Sequence, residues 1–353
     1  MAIFDKLYIK AVSAMMMAVL AVSVITSCGT ESNDSPESVC GAKLRFIYDY
    51  NMEYANAFMH AVDCLTVYIY DESDKLVLTR TETSSVLADE NYRMTVDLPE
   101  GKYRVVAYGG LECENTSFAH PAGAPSVGQH FTELALTMKP VHHQGEPTAP
   151  VHDLYYGSVN ISVGKTTGVY TEATVEMIKD TNNVRVLLQH VTGKPVDPTD
   201  FTWELIDDNT HMTHDNKVKP VGAVTYRPWA TGQAVMGAMD DGSAVLAAYG
   251  EFSIARLVTD AQVADAARAE SKKVGPILRI TKSGSTKSTL DVPLNNLLLQ
   301  MRSQHYADMD AQEYLDRQSH WTMLFLLNEN DQWNRVEVKI NDWVVRINDI
   351  DVE

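Results

Sequence analysis

Between Leu65 and Ala107 the chain changes character at every second residue. In Leu65-Thr-Val-Tyr-Ile-Tyr70, Leu65, Val67 and Ile69 alternate with Thr66, Tyr68 and Tyr70; in Arg93-Met-Thr-Val-Asp-Leu98, Met94, Val96 and Leu98 alternate with Arg93, Thr95 and Asp97. A period of two belongs to a half-buried strand, and the β-branched and aromatic residues suit one. Leu98-Pro-Glu-Gly-Lys-Tyr103 separates two such runs with turn residues: Pro99 presets its own φ, and Gly101 is free to take a positive one. Tyr103, Val105 and Ala107 carry the next strand. Further strand runs are expected at Leu134–Met138, Leu154–Val163, Thr174–Ile178, Val184–Val191 and Phe201–Ile206, then at Ile277–Ile280, Trp321–Leu327, Val336–Ile340 and Trp343–Ile347. Helical patterns are few, at Ala261–Lys272 and Asp308–Arg317. Many short strands with little helix indicate an all-β chain of sandwiches rather than an α/β enzyme core.

The first residues have another purpose. Lys6 and Lys10 give a basic start, weakened by Asp5, and Ala11–Ile25 is uncharged and apolar. That run suits a signal-peptide core and falls short of the ~20 residues a spanning helix needs. Thr26, Ser27 and Cys28 follow, and Ile-Thr-Ser-Cys fits a bacterial lipobox. Residues 1–27 therefore read as a lipoprotein signal peptide and Cys28 as the acylated, palmitate-bearing first residue of the mature chain, not a disulfide partner. Residues 28–40, polar and acidic after the lipidated cysteine, read as a tether because they cannot bury enough surface to offset their ordering entropy.

About 325 residues then remain, enough for two domains. Gly164–Gly168 reads as the linker, giving domains 41–166 and 167–353. A net charge of −18 opposes nucleic-acid binding, which needs a basic surface. Gly164-Lys165-Thr166 imitates the end of a phosphate loop, but the six residues after Gly157 alternate as a strand and Gly168 interrupts any following helix. It reads as a turn. His142, His143 and His152, and the pair His211 and His214, lie in loop-like sequence without a Cys or Glu pattern to complete a zinc site. No usable Gly-x-Ser-x-Gly or helical Ser-x-x-Lys marks a nucleophile, and the acidic residues form no recognisable glycosidase pair. Trp203, Trp229, Trp321, Trp333 and Trp343 could form a glycan platform, yet Trp321 is in register with Met323, Phe325 and Leu327, as a core strand residue would be. The expectation is a non-enzymatic protein with no cofactor, no metal and no small-molecule substrate.

Several segments together resemble a known family, the FimB-type fimbrial anchor lipoproteins of Bacteroidales type V pili. They are Leu44–Ala57 followed by Val62–Tyr68, the block Leu98–Leu111, and, near the C-terminus, Tyr314–Arg317 and Trp343–Arg346. The resemblance spans nearly all of the mature chain. It implies two tandem transthyretin-like, Greek-key β-sandwiches and a lipid-anchored outer-membrane protein of a fimbrium, active in cell adhesion. It also implies that fimbrial shaft pilins are the partners, and that the protein fixes the shaft and limits its length. Glu31 and Asp34 loosely suit the signal that sends such lipoproteins to the outer face. Related pilins polymerise after proteolysis removes an N-terminal strand and a neighbour's strand fills the groove. An anchor must keep that strand, which here begins near Ala42 and contains Arg45. A polymerising pilin or tip subunit of the same fold, and a surface glycan-binding lipoprotein, are the rival readings.

In an exported protein a disulfide is expected, but Cys40, Cys64 and Cys113 are odd in number. In a transthyretin-like sandwich the second and fifth strands are antiparallel neighbours. Cys64 opens the one and Cys113 lies just past the other, so that resemblance implies Cys64–Cys113 with Cys40 free. Cys40–Cys113 is the alternative.

Overall fold

A computed structural model describes residues 40–166, 168–264, 275–340 and 343–347. The first half runs through β1 (Gly41–Ile47), β2 (Leu65–Tyr70), β3 (Leu76–Glu82), β4 (Met94–Asp97), β5 (Gly101–Gly109), β6 (Phe118–Ala119), β7 (Ala135–Met138), β8 (Tyr155–Val163), β9 (Tyr170–Lys179) and β10 (Thr181–His190). The second half adds β11 (Phe201–Asp207), β12 (His211–Thr213), β13 (Val224–Tyr226), β14 (Ala230–Ala238), β15 (Ala244–Ala255), β16 (Ile277–Lys282), β17 (Leu290–Pro293), β18 (His320–Leu327), β19 (Trp333–Ile340) and β20 (Trp343–Ile347). Among the described residues three short α-helices accompany them: α1 (Phe58–Ala61), α2 (Leu294–Gln300) and α3 (Ala311–Arg317). The signal peptide, Cys28 and the tether before residue 40 lie outside the described residues, as does most of the helix expected at 261–272.

Seven strands form one sheet in the order β3-β2-β5-β8-β9-β1-β4. Its inner face supplies Ala42, Leu44 and Phe46 from β1, Leu65, Val67 and Ile69 from β2, and Met94 and Val96 from β4, all in one apolar cluster. Residues from both ends of the sheet share that cluster, so the sheet curls into a half-barrel around it. The Arg80 guanidinium of β3 even donates to the Thr95 carbonyl of β4 at 3.1 Å, joining edge to edge. The expectation of half-buried strands fails at β2. Tyr68 and Tyr70, on the face taken to be outer, are 1% exposed and belong to a second core. That face is covered by the stretch containing Phe118, Phe131 and Leu136.

The second core lies between a six-stranded sheet, β14-β15-β10-β18-β19-β20, and a four-stranded one, β13-β11-β16-β17. Val184, Val186, Trp321, Met323 and Phe325 from the first meet Trp203, Leu205, Leu278 and Ile280 from the second. A fourth, small sheet, β12-β7-β6, pairs a strand of the second half with two of the first and ties the halves together.

Two further expectations need correction. The boundary at 166/167 falls in the turn between β8 and β9; β9 pairs with β8 and β1, so the first sheet continues to Lys179. Gly164 and Gly168 mark a hairpin turn, which looks like a linker in sequence because both use the same residues. Gly101 is not among the glycines of positive φ. It is small because a Cβ there would stand 3.3 Å from the Tyr103 hydroxyl, which donates back to the Pro99 carbonyl at 3.0 Å.

Candidate functional site

The described chain begins as a clasp. The Cys40 thiol donates to the Leu98 carbonyl at 3.2 Å, and the Leu98 N–H donates to the Cys40 carbonyl at 3.0 Å. Gly41 follows, where any Cβ would lie 2.0 Å from the Val96 carbonyl oxygen; only glycine permits so close an approach. From there β1 is bonded on both sides. It runs parallel to β9 from Gly41↔Tyr170 to Ile47↔Glu176 and antiparallel to β4 from Gly41↔Asp97 to Leu44↔Met94. Arg45 points to solvent while its backbone sits opposite Thr174 inside the sheet.

Cys64 and Cys113 are joined by a disulfide with Cα atoms 5.9 Å apart, and Cys40 is free and buried. β2 and β5 are antiparallel neighbours with Leu65 opposite Gly109, which brings the two cysteines to the same edge. Asp63 and His152 pair beside the bridge at 3.0 Å. These two with Cys113 are the one grouping of metal-ligand type among the described residues, and Cys113 is oxidised, leaving two ligands where zinc needs three or four. The other histidines diverge. His214 lies edge-on to Phe131 at 4.7 Å, His211 sits in β12, and His142 and His143 close a 3₁₀ turn where burial depresses both pKa values.

A buried polar constellation lies at the crossing between the sheets, and the sequence reading did not single it out. One residue, Asp180, separates β9 from β10, and it is fully buried. Its N–H donates to the Leu154 carbonyl at 2.7 Å, and its Oδ1 accepts from Asn216 at 2.9 Å. Arg256, also buried, stands 3.7 Å from Asp180 and makes a two-pronged pair with Asp316, at 2.7 Å on each prong. Gln312 donates to Asp316 at 2.9 Å. Two carboxylates thus face one guanidinium. Burial pushes Asp180 up to about 7 against the opposing pull of Arg256 and Asn216.

Arg317 extends the same joint to the surface. Asp310 caps α3 by accepting from the N–H groups of Gln312 and Glu313, which starts the helix and aims its last turn at the first half. There the Arg317 guanidinium lies over Tyr50 at 4.0 Å and over Tyr54 at 4.5 Å, and donates to the Asn51 carbonyl at 3.3 Å. Leu44–Ala57 and Tyr314–Arg317, two of the segments that carry the family resemblance, therefore meet in space. Their residues build the joint between the halves.

Trp321 is 1% exposed and its indole N–H donates to Asn182 Oδ1 at 3.1 Å, a core position. Trp203 is buried as well, whereas Trp229 is half-buried at the rim of a shallow hollow with Phe201 and Arg227. The described surface offers clasped strands and a braced joint rather than convergent catalytic groups.

Residues 34–349 match the sequence family described as "Mfa2: Fimbrillin-A associated anchor proteins Mfa1 and Mfa2". None of the curated proteins matches the chain. Among solved structures, a candidate adhesin from Bacteroides thetaiotaomicron is 43% identical, with a TM-score of 0.77 over 87% of this chain and 98% of that one. A second protein from that organism, described as a candidate polysaccharide-binding protein, is 29% identical, with a TM-score of 0.69 over 88% and 98%. The fimbrial anchor protein Mfa2 from Porphyromonas gingivalis is 14% identical, with a TM-score of 0.62 over 87% and 99%; that likeness is one of fold.

Proposed function

We propose an anchor's role for this chain, because it belongs to the family of fimbrillin-A associated anchor proteins Mfa1 and Mfa2. Its solved relatives are described as adhesion, polysaccharide-binding and fimbrial proteins, and it is not an enzyme. In this reading it is a surface-exposed outer-membrane lipoprotein, held by acyl chains on Cys28, that fixes a shaft of pilin subunits and limits its length. The two halves are read as tandem transthyretin-like sandwiches, divided at Asp180.

The family match carries the choice of anchor over polymerising pilin, and β1 is the strand on which the two readings part. β1 is an interior strand, bonded to β9 and β4 and clasped at its start by Cys40 and Leu98. A polymerising subunit gives up such a strand, and the vacated groove takes a neighbour's strand. Here removal of β1 would part β4 from β9 and expose the residues that Ala42, Leu44 and Phe46 cover. A chain that keeps β1 keeps the tether and its lipid.

The test is Cys28→Ala. Acyl chains contribute ~0.8 kcal/mol per buried CH₂, and a chain of net charge −18 has no attraction to an anionic surface. The variant should fold, leave the membrane fraction and shed fimbriae into the medium, longer than normal if the anchor also limits growth. Retention of both protein and fimbriae on the cell would overturn the reading. The glycan-binding alternative draws on the 29% identical relative and on Trp229; polysaccharide binding abolished by Trp229→Ala would favour it.

A further inference from the structure

The direction in which a paired strand is pulled decides how its ladder fails. If the pulled ends lie at opposite ends of two neighbouring parallel strands, every bond between them is loaded at once. If they lie at the same end, the bonds are loaded one after another and part at low force. A protein held by its N-terminus and loaded elsewhere meets this choice, so the inference rests on the anchor reading.

The topology gives the first case directly in the first sheet and, across two intervening strands, in the second. The chain enters the first sheet at Gly41 and leaves it at Lys179, the C-terminal end of β9, while β1 and β9 are parallel over seven register pairs from Gly41↔Tyr170 to Ile47↔Glu176. The antiparallel pairs with β4 add to the resistance on the other side. Tension then passes through Asp180, a single buried residue whose N–H is on Leu154 and whose carboxylate is held by Asn216. The Arg317 stack on Tyr50 and Tyr54 and the β7–β12 pairing brace the two sheets beside it. In the second sheet the chain enters at the start of β10, which is parallel to β18 over eight pairs from Asn183↔His320 to His190↔Leu327. β19 and β20 each reverse direction, so β20 runs parallel to β10 and ends level with the far end of it.

We propose that the fold is a two-stage shear clamp, built to carry tension between the N-terminal tether and the C-terminal strands. β1 against β9 is the first stage, the β10-β18-β19-β20 ladder the second, and the Asp180 joint couples them in series.

Single-molecule force spectroscopy on the purified, unlipidated chain from residue 28 onward tests this without any membrane or fimbria. One pair of handles sits at the two termini. The other sits at the N-terminus and at Lys165, an exposed residue in the β8–β9 turn, at the same end of the ladder as Gly41. Terminal pulling should require at least about three times the force of the Lys165 geometry for the first event. Equal forces would overturn the clamp. Reducing Cys64–Cys113, 49 residues apart, should lengthen the released chain by about 160–170 Å at ~3.4 Å per residue while leaving the first peak unchanged. A peak that falls to the Lys165 level on reduction would overturn the assignment to β1 and β9. Failure of the anchor reading would instead appear as cell retention of the Cys28→Ala protein, with the force ratio intact.

Discussion

Asp180 shows how a residue that is plain in sequence can control a fold. It stands in Ile-Lys-Asp-Thr; its partner Asn216 lies 36 residues away, and Arg256 in turn binds Asp316, 60 residues beyond Arg256. No local spacing could have pointed to it, because a buried charge network is assembled by tertiary contacts. The cysteines differ: the sandwich order that the resemblance implies put Cys64 and Cys113 at one edge, with Cys40–Cys113 left as the alternative, and the bridge joins Cys64 to Cys113. Asp180 also carries a pH signature. Its folded-state pKa, about 7, exceeds that of an unfolded carboxyl, so the folded state binds the extra proton between those values. Its contribution is complete below the unfolded pKa and is lost as the pH rises through about 7. Asp180→Asn should therefore gain stability relative to the parent between pH 5 and pH 8, on the order of 2–3 kcal/mol, in paired urea titrations. An unchanged difference at the two pH values would place no titration at this site.

At the scale of elements, β1 and α3 matter most. The start of β1 was placed near Ala42 alongside the family resemblance, but its parallel partner was not legible, since β9 lies more than a hundred residues on. β14 and β15 were missed altogether. Ala230–Ala238 and Ala244–Ala255 are rich in Ala and Gly, which carry little strand preference; β15 is held extended by β10 and β14 by β15. In the native protein the Arg45 peptide bond should resist trypsin, because cleavage needs several residues of β1 to leave the sheet. Mass spectrometry of a limited digest checks this, and early cleavage after Arg45 would mean that β1 is not held. For α3, Arg317→Ala should cost about 1–3 kcal/mol by removing a stacked, partly desolvated cation. Arg317→Lys should restore little, as an ammonium cannot lie flat between Tyr50 and Tyr54 while reaching the Asn51 carbonyl. Full recovery by lysine would show that only charge matters there.

For the whole molecule, the β character was written in period-two alternation, and the sheets follow it. The division into halves was misplaced because a hairpin turn and a linker have the same composition. The seven-stranded sheet does not end until Lys179, and the second core reaches back to Tyr68 and Tyr70 of the first half. The halves are thus joined by a shared core, a strand pair, a buried ion network and the Arg317 stack, which suits a part that must not come apart under load. As an anchor, this chain is expected to keep its first strand when it works. N-terminal analysis of the protein recovered from assembled fimbriae tests that claim most directly. The expected start is an acylated Cys28 followed by an intact β1; a mature start beyond Arg45, without lipid, would contradict it.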